Sequence, residues 1–272
     1  MEPWWKHAVV YQIYPRSFAD STGDGIGDLV GIRSKVPYLA ETLGVDAIWL
    51  SPFYPSPQAD FGYDVADYCG VNPEYGSLDD FDDLIAACKE AGLRVIVDLV
   101  PNHSSDQHEW FVDSRSSKDS AKRDWYVWAD PAAEGGPPNN WLSVFGGPAW
   151  TYDSPSGQFY LHSFLKEQPD LNWRNPEVRE AMADVLRFWL ERGVSGFRLD
   201  VAHRIAKDPQ KRDDQELEGS LDQLGKDMAD KGTLEHVNTQ GHDHAHASIR
   251  EISSVHDYNA DTYSLCEIHE GD

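Results

Sequence analysis

The sequence has few cysteines and no obvious disulfide framework. Its 272 residues include three cysteines, Cys69, Cys88 and Cys266, which lie far apart and lack the spacing of metal ligands. An odd, sparse set of cysteines is typical of a reducing compartment. We therefore expect a cytoplasmic protein whose cysteines act as small buried apolar residues.

Positive charge and long apolar runs are also scarce. The chain has only 23 basic residues and 47 acidic residues, so its net charge is −24. Nucleic acids and anionic membranes would repel such a surface. No run of 18 apolar residues is present, and the N-terminus lacks the basic and apolar regions of a signal peptide. The sequence therefore predicts no nucleic-acid partner and no membrane partner.

What the chain has is an alternation of strand-like and helix-like segments. Amphipathic helices are predicted at about 29–43, 78–91, 176–192 and 247–255, with N-caps at Ser77 and Asn175. Five short apolar segments are predicted as strands: Val9–Tyr14, Asp46–Leu50, Arg94–Val100, Gly196–Asp200 and Thr262–Cys266. Successive βα units form an open sheet or a closed barrel. No glycine-rich phosphate-binding sequence follows the first strand, and polar residues end several strands, which favours an α/β (β/α)₈ TIM barrel.

The alternation is interrupted after the third strand. Residues 104–168 are rich in Trp, Gly, Pro and Asp and have no long periodic run. Because a structureless loop of this length is unusual, we predict a small inserted subdomain there. The expected domains are 1–103 (first part of the barrel), 104–168 (insert) and 169–272 (barrel continued). The polar stretch from 207 to about 246 is predicted to be a long surface loop with some helix.

Carboxylates and an arginine fall at the predicted strand ends. Arg198 and Asp200 point to the same side of the fourth strand. A guanidinium beside a carboxylate keeps the pKa of the carboxylate low, as a nucleophile requires, although a purely structural ion pair is the alternative. Glu267, after the fifth strand, is expected to hold a raised pKa and act as acid and then base, unless it is only a solvated loop acid. Two carboxylates without a Ser–His or Cys–His set indicate glycoside hydrolysis.

Four segments in order carry a resemblance to a known family: Asp98–His103, Gln168–Asn172, Gly196–Asp200 and Cys266–Ile268. With these motifs the chain resembles the α-amylase family of retaining glycosidases (glycoside hydrolase family 13), and within it the oligo-1,6-glucosidase and α-glucosidase group. The resemblance extends from Val9 to Glu267. It implies double displacement, in which Asp200 attacks the anomeric carbon, Glu267 protonates the leaving oxygen and Arg198 orients Asp200.

The resemblance also implies a set of substrate contacts. Tyr63 would stack beneath the sugar, and Asp60 would bind hydroxyls at its non-reducing edge. Anchoring of these terminal hydroxyls implies exo action on a small oligosaccharide such as isomaltose, maltose or a sucrose-like sugar. The remaining implied contacts are Asp98, His103, Phe145, Phe164, Gln168 and Val201.

Three alternatives remain open from the sequence. Val201, directly after Asp200, resembles enzymes that prefer α-1,6 linkages, while the Ala202–His203 pair that follows departs from them and leaves α-1,4 preference open. Trehalose synthase, isomaltulose synthase and sucrose-hydrolysing relatives share these motifs. A non-catalytic sugar-binding or transporter-partner homologue is the alternative from another class.

A Gly/Asp-rich loop resembles a structural calcium site of this group. Alternating oxygen ligands with glycines for tight turns suit a hard cation. The implied ligands are Asp20, Thr22, Asp24, the Ile26 carbonyl and Asp28. The family usually has Asn at position 22, and a simple surface turn is the alternative. No cofactor is expected for catalysis, and the alternating histidines at 242, 244 and 246 are interpreted as solvated.

By the family's pattern the sequence stops just after the fifth strand of an eight-stranded barrel. We therefore expect an N-terminal fragment that lacks a third catalytic carboxylate. Such a fragment is expected to be inactive and poorly soluble by itself, because its open sheet edge exposes unpaired backbone.

Overall fold

The computed structural model describes residues 2–216, 234–235, 237–241, 243–255 and 262–268. The strands are β1 (Val10–Ile13), β2 (Ala47–Leu50), β3 (Arg94–Leu99), β4 (Trp128–Ala129), β5 (Trp150–Asp153), β6 (Gln158–Leu161), β7 (Gly196–Leu199), β8 (Gln215–Glu216), β9 (Leu234–Glu235) and β10 (Tyr263–Cys266). The α-helices are α1 (Pro15–Phe18), α2 (Leu29–Ser34), α3 (Leu78–Glu90), α4 (Glu109–Ser116), α5 (Pro176–Glu191) and α6 (Asp243–Ser254).

Five strands form one parallel sheet in the order β1-β2-β3-β7-β10. They coincide with the five strands predicted from apolar runs, and every neighbouring pair is parallel. The carboxyl ends of all five strands therefore meet at one edge of the sheet. The α/β prediction is confirmed, and the sheet corresponds to part of a (β/α)₈ barrel. No helix in the described ranges is long and apolar enough to cross a membrane.

Capping residues fix where the two long helices begin. Ser77 accepts a hydrogen bond from the Asp80 amide, and the Asp80 carboxylate accepts one from the Ser77 amide, which forms a capping box. Asn175 caps α5 by accepting a hydrogen bond from the Glu177 amide, with Pro176 in the first turn. The apolar face of α5 places Trp189 in a buried aromatic cluster with Phe53 and Phe81.

One predicted helix is divided in two. The segment expected at 29–43 contains α2, which ends at Ser34, and a π-helix at Tyr38–Leu43. Pro37 lies between them as the N-cap of the π-helix. Since proline lacks a backbone N–H and its ring crowds the preceding turn, a continuous helix through this position is disfavoured.

The chain leaves the parallel sheet between β3 and α5. It forms α4 and a three-stranded antiparallel sheet in the order β4-β6-β5. A separate apolar cluster supports this region, with Trp141 stacked on Trp150 and Leu161 beside them. The region thus has its own sheet and its own small core, while the domain boundaries at 104 and 168 stay predictions.

Two expectations about burial are corrected. Only Cys88 is buried as expected; Cys69 is half-buried and Cys266 is exposed. Lys207 and Asp208, placed in a surface loop by their polarity, are both buried because they are paired with other charged side chains. Much of the remaining polar stretch, His242 included, lies outside the described residues.

The β7–β10 pairing leaves no space for a side chain at Gly196. A Cβ there would lie 1.9 Å from the Tyr263 carbonyl oxygen, which is backbone and cannot rotate away. Gly196→Ala is therefore expected to lower the free energy of unfolding by about 1–3 kcal/mol in urea denaturation. Gly136→Ala is the matched control, because nothing lies within 4 Å of its added Cβ. Equal stabilities of the two variants would contradict this packing.

Candidate active site

Arg198 holds three carboxylates at the carboxyl edge of the sheet. Its Nη1 atom donates to Asp98 Oδ1 at 2.9 Å and to Asp200 Oδ1 at 2.6 Å, and its Nη2 atom lies 2.6 Å from Glu267 Oε2. The strand register explains the cluster, because Asp98 pairs with Arg198 across β3 and β7, and Glu267 directly follows β10. The structure therefore brings together three of the four acids that were predicted for the site, and the fourth, Asp60, lies in a second group.

Burial changes the expected charge state of this cluster. Burial and then the neighbouring Asp98 carboxylate raise the pKa of Asp200 well above its usual range, against the lowering effect of Arg198. Burial likewise raises the pKa of Asp98 to about 7. The expected low pKa of Asp200 is therefore wrong, because burial, reinforced by the neighbouring acids, outweighs the lowering effect of Arg198.

Two aromatic residues complete the surroundings of Asp98. The Tyr63 hydroxyl donates to Asp98 Oδ2 at 3.2 Å, and Trp49 Nε1 donates to the same oxygen at 3.3 Å. Trp49 also stacks under the Arg198 guanidinium at 5.0 Å. Trp49 was not predicted from the sequence. It pairs with Ile96, two residues before Asp98, so strand alternation places Trp49 and Asp98 on the same side of the sheet.

The other predicted sugar contacts form a second connected group. Gln168 Nε2 donates to Asp60 Oδ2 at 2.9 Å and lies 3.0 Å from His103 Nε2. The His103 ring contacts Phe164, and Phe164 contacts the exposed ring of Phe145. Burial lowers the pKa of His103 to about 4, so its imidazole is neutral near pH 7.

Tyr63 links the two groups. Its hydroxyl contacts Asp98, while its backbone lies close to the His103 imidazole. A sugar that contacts Tyr63 would thus meet the carboxylates on one side and the His103 group on the other. The arrangement agrees with a single sugar pocket.

Val201 makes a strained turn between the two candidate catalytic carboxylates. Its φ and ψ angles are 40° and 43°, in the left-handed region that β-branched residues rarely adopt. The turn lets the Ala202 amide donate to the Glu267 carbonyl at 3.2 Å. It thereby ties the end of β7 to the residue that follows β10. The role of Val201 in linkage preference stays a prediction.

The carboxylates of the predicted calcium loop accept hydrogen bonds from within the loop. Asp20 accepts hydrogen bonds from the amides of Thr22, Gly23 and Gly25, and these bonds lower its pKa. Asp28 caps α2 by accepting from the Gly31 amide. Within the described ranges, no three His, Cys, Asp or Glu side chains gather as metal ligands. The loop in this arrangement is a hydrogen-bonded turn, and calcium binding stays a prediction.

A buried polar network behind His103 was also not predicted from the sequence. It consists of Asn102, Ser163, Asp170 and Lys207, all nearly inaccessible to solvent. Asn102 and Asp170 lie inside the motifs quoted above, so their positions were visible in the sequence. Lys207 was not recognised, because seven residues of separation from Asp200 give no sign that it folds back under the site.

A parallel sheet with an insert after its third strand and carboxylates at its carboxyl edge is typical of the α/β-barrel glycoside hydrolases. The family described as the alpha amylase catalytic domain matches residues 12–272. The chain belongs to this α-amylase family.

Individual relatives agree with this assignment. A probable α-glucosidase of Rhizobium meliloti (strain 1021) is 59% identical over 214 residues, which cover 79% of this chain and 39% of that protein. An oligo-1,6-glucosidase of Heyndrickxia coagulans is 55% identical over 207 residues, covering 76% of this chain and 37% of that protein. The crystal structure of the α-glucosyl transfer enzyme XgtA matches with a TM-score of 0.95 and 47% identity, covering 100% of this chain and 51% of that one. The chain thus spans between about one third and one half of these relatives.

Proposed function

We propose that the chain supplies the catalytic carboxylates of a retaining exo-α-glucosidase that acts on short α-linked oligosaccharides. The observation that carries the proposal is the pair Asp200 and Glu267, both bound to the guanidinium of Arg198 at the carboxyl edge of the sheet. Double displacement needs two carboxyl groups only about 5–5.5 Å apart. Two acids that share one planar guanidinium are consistent with this close spacing.

The charges of the site support the same reaction. A glycosidic bond breaks through a transition state with positive charge at the anomeric carbon. Three carboxyl groups share the single cation of Arg198, so with two or more of them ionised the site carries excess negative charge, which stabilises that transition state. In the proposed first step Asp200 forms a bond to the anomeric carbon while the leaving oxygen takes a proton from Glu267. In the second step Glu267 accepts a proton from water, and the water oxygen displaces Asp200.

The group around Gln168 supports exo action. Asp60 and His103 are held on either side of the Gln168 amide, so three polar side chains converge on one part of the pocket. Such a group suits the several hydroxyls of a terminal glucose. The aromatic rings of Phe145 and Phe164 beside it suit the apolar face of a sugar.

The experiment is a product analysis on isomaltose, maltose and soluble starch with the chain extended by the C-terminal part of one of its relatives, because we expect the chain by itself to be inactive. Release of α-glucose as the first product, followed by ¹H NMR before mutarotation, is expected with both disaccharides and with somewhat higher turnover of isomaltose. Starch is expected to react only from its ends. Initial release of β-glucose would reject the retaining mechanism, and absence of turnover with every sugar would favour the non-catalytic alternative.

Glucosyl transfer is the second candidate, and the similarity to an α-glucosyl transfer enzyme favours it. Both reactions share the first step and differ in whether water or a sugar hydroxyl attacks the glucosyl–Asp200 bond. The same assay separates them when a second sugar is added. Trisaccharides or rearranged disaccharides that exceed free glucose would assign transfer as the main activity.

A further inference from the structure

A buried ion pair lies directly behind the His103 ring. Lys207 Nζ is 2.5 Å from Asp170 Oδ2, and the two residues are 7% and 0% exposed. Asp170 also accepts hydrogen bonds from the amide and the hydroxyl of Ser163. A buried ion pair costs free energy unless its remaining polar atoms are satisfied, and here the carboxylate is satisfied.

The ion pair fixes the orientation of the Asn102 amide. Lys207 Nζ donates to Asn102 Oδ1 at 2.6 Å, and Asn102 Nδ2 donates to Asp170 Oδ1 at 3.2 Å. An ammonium group only donates and an ionised carboxylate only accepts. Rotating the amide by 180° would break both bonds. Asn102 therefore turns its NH₂ group to His103 Nδ1, which lies 3.1 Å away.

The amide orientation in turn fixes the position of the imidazole proton. Since Asn102 donates to Nδ1, Nδ1 must accept, and a neutral imidazole then carries its proton on Nε2.

Gln168 makes the opposite demand on His103. Its Nε2 atom lies 3.0 Å from His103 Nε2, and its Oε1 atom accepts from the Leu165 amide. As a donor to His103, Gln168 would require the proton on Nδ1. Asn102 is held by bonds to two charged groups, Lys207 and Asp170, whereas Gln168 is held by one charged group, Asp60, and by the neutral Leu165 amide. Because bonds to charged groups are about twice as strong as neutral ones, Asn102 is the more firmly held donor and decides the tautomer.

We propose that Lys207 is a positioning residue that acts through Asn102 to hold His103 in the Nε2–H tautomer, with this N–H available to a sugar hydroxyl. The part that concerns the sugar rests on the proposed function. The tautomer itself does not, because it follows from contacts present without a ligand.

The test is long-range ¹H–¹⁵N NMR of the full chain labelled with ¹⁵N-histidine, in the absence of sugar. The His103 signal is assigned by its contacts with the Phe164 ring. A single Nε2–H tautomer is expected in the unmodified protein, and a mixture or the Nδ1–H form in Lys207→Met. Lys211→Met is the matched control, because Lys211 donates to the Trp128 carbonyl instead of to Asn102, and it should retain Nε2–H. An Nδ1–H tautomer in the unmodified protein, or an unchanged tautomer in Lys207→Met, would overturn the proposal.

A second variant covers the case in which Lys207→Met fails to fold. Asn102→Asp replaces the NH₂ group with a carboxylate oxygen and should place a proton on Nδ1, whereas retention of the Nε2–H form alone would count against the proposal.

Kinetics test the contact between His103 and the sugar separately. If the glucosidase activity exists, Lys207→Met should raise KM about tenfold with a smaller effect on kcat, as loss of one oriented hydrogen bond predicts. An unchanged KM would reject only the sugar contact.

Discussion

Asp200→Asn is expected to abolish turnover of both isomaltose and maltose, with a loss in kcat of roughly 10⁴-fold or more. The substitution preserves the shape of the side chain and removes the oxygen that would bond to the anomeric carbon. Arg198 would keep its contacts with Asp98 and Glu267, so the rest of the cluster remains in place. The measurement is glucose release under saturating substrate, compared with the unmodified chain.

The thermal stability of Asp200→Asn should not fall with its activity. Burial raises the pKa of Asp200, which means that the fold disfavours its charged form. A carboxyl group with a raised pKa destabilises the fold as pH rises above its unfolded value, so a neutral side chain relieves this cost at pH 7. We therefore expect an unchanged or higher Tm for Asp200→Asn. A large fall in Tm would mean that lost folding explains the lost activity.

Two further variants isolate the role of Asp200 as nucleophile. Asp184→Asn, on the exposed side of α5, is the matched control and should keep full activity. Asp200→Gly opens space for azide, which can attack the anomeric carbon from the side that Asp200 occupied. The expected product from an α-glucoside is β-glucosyl azide, formed as the α-linked leaving group departs. Recovery of hydrolysis without azide, or an α-glucosyl azide product, would reject this assignment.

The sheet was predictable from the sequence because its signals are local. Each strand is a short apolar run, and the caps at Ser77 and Asn175 start the long helices where the sequence indicates. The π-helix at Tyr38–Leu43 was not predicted, because its apolar spacing resembles that of an α-helix and only Pro37 hints at the break. The insert was recognised as a departure from the βα pattern, and its antiparallel strands have no clear alternation.

The site residues were predictable for a different reason. Parallel strands bring their carboxyl ends to one edge, so polar residues at strand ends become neighbours whatever the distance between them in sequence. The charge state was not predictable, because it depends on how many acids share Arg198 and how deeply they are buried. The same limit applies to Lys207, whose role depends on Asn102 and Asp170, brought to it by the fold.

The acid–base residue can be identified by comparing two leaving groups. Glu267→Gln should lower kcat/KM for isomaltose or maltose by roughly 10²–10⁴-fold, because the sugar leaving group needs a proton. An aryl α-glucoside with an acidic phenol needs little protonation, so its first step should be much less affected. Glu267→Gln should then accumulate the glucosyl–Asp200 intermediate, since no base activates water in the second step. The measurement is a burst of phenol release followed by slow turnover.

Azide and a control variant make this assignment specific to Glu267. Azide needs no general base, so it should accelerate the slow phase and give α-glucosyl azide, the opposite anomer from that expected with Asp200→Gly. Glu180→Gln, on α5 and paired with Arg187 at the surface, should react like the unmodified chain with both substrates. Equal losses on the disaccharide and the aryl glucoside would show that Glu267 positions the cluster through Arg198 instead of transferring the proton. Such a positioning role is physically reasonable, because Glu267 lies 2.6 Å from Arg198. The ratio of the loss on the disaccharide to the loss on the aryl glucoside distinguishes it from proton transfer.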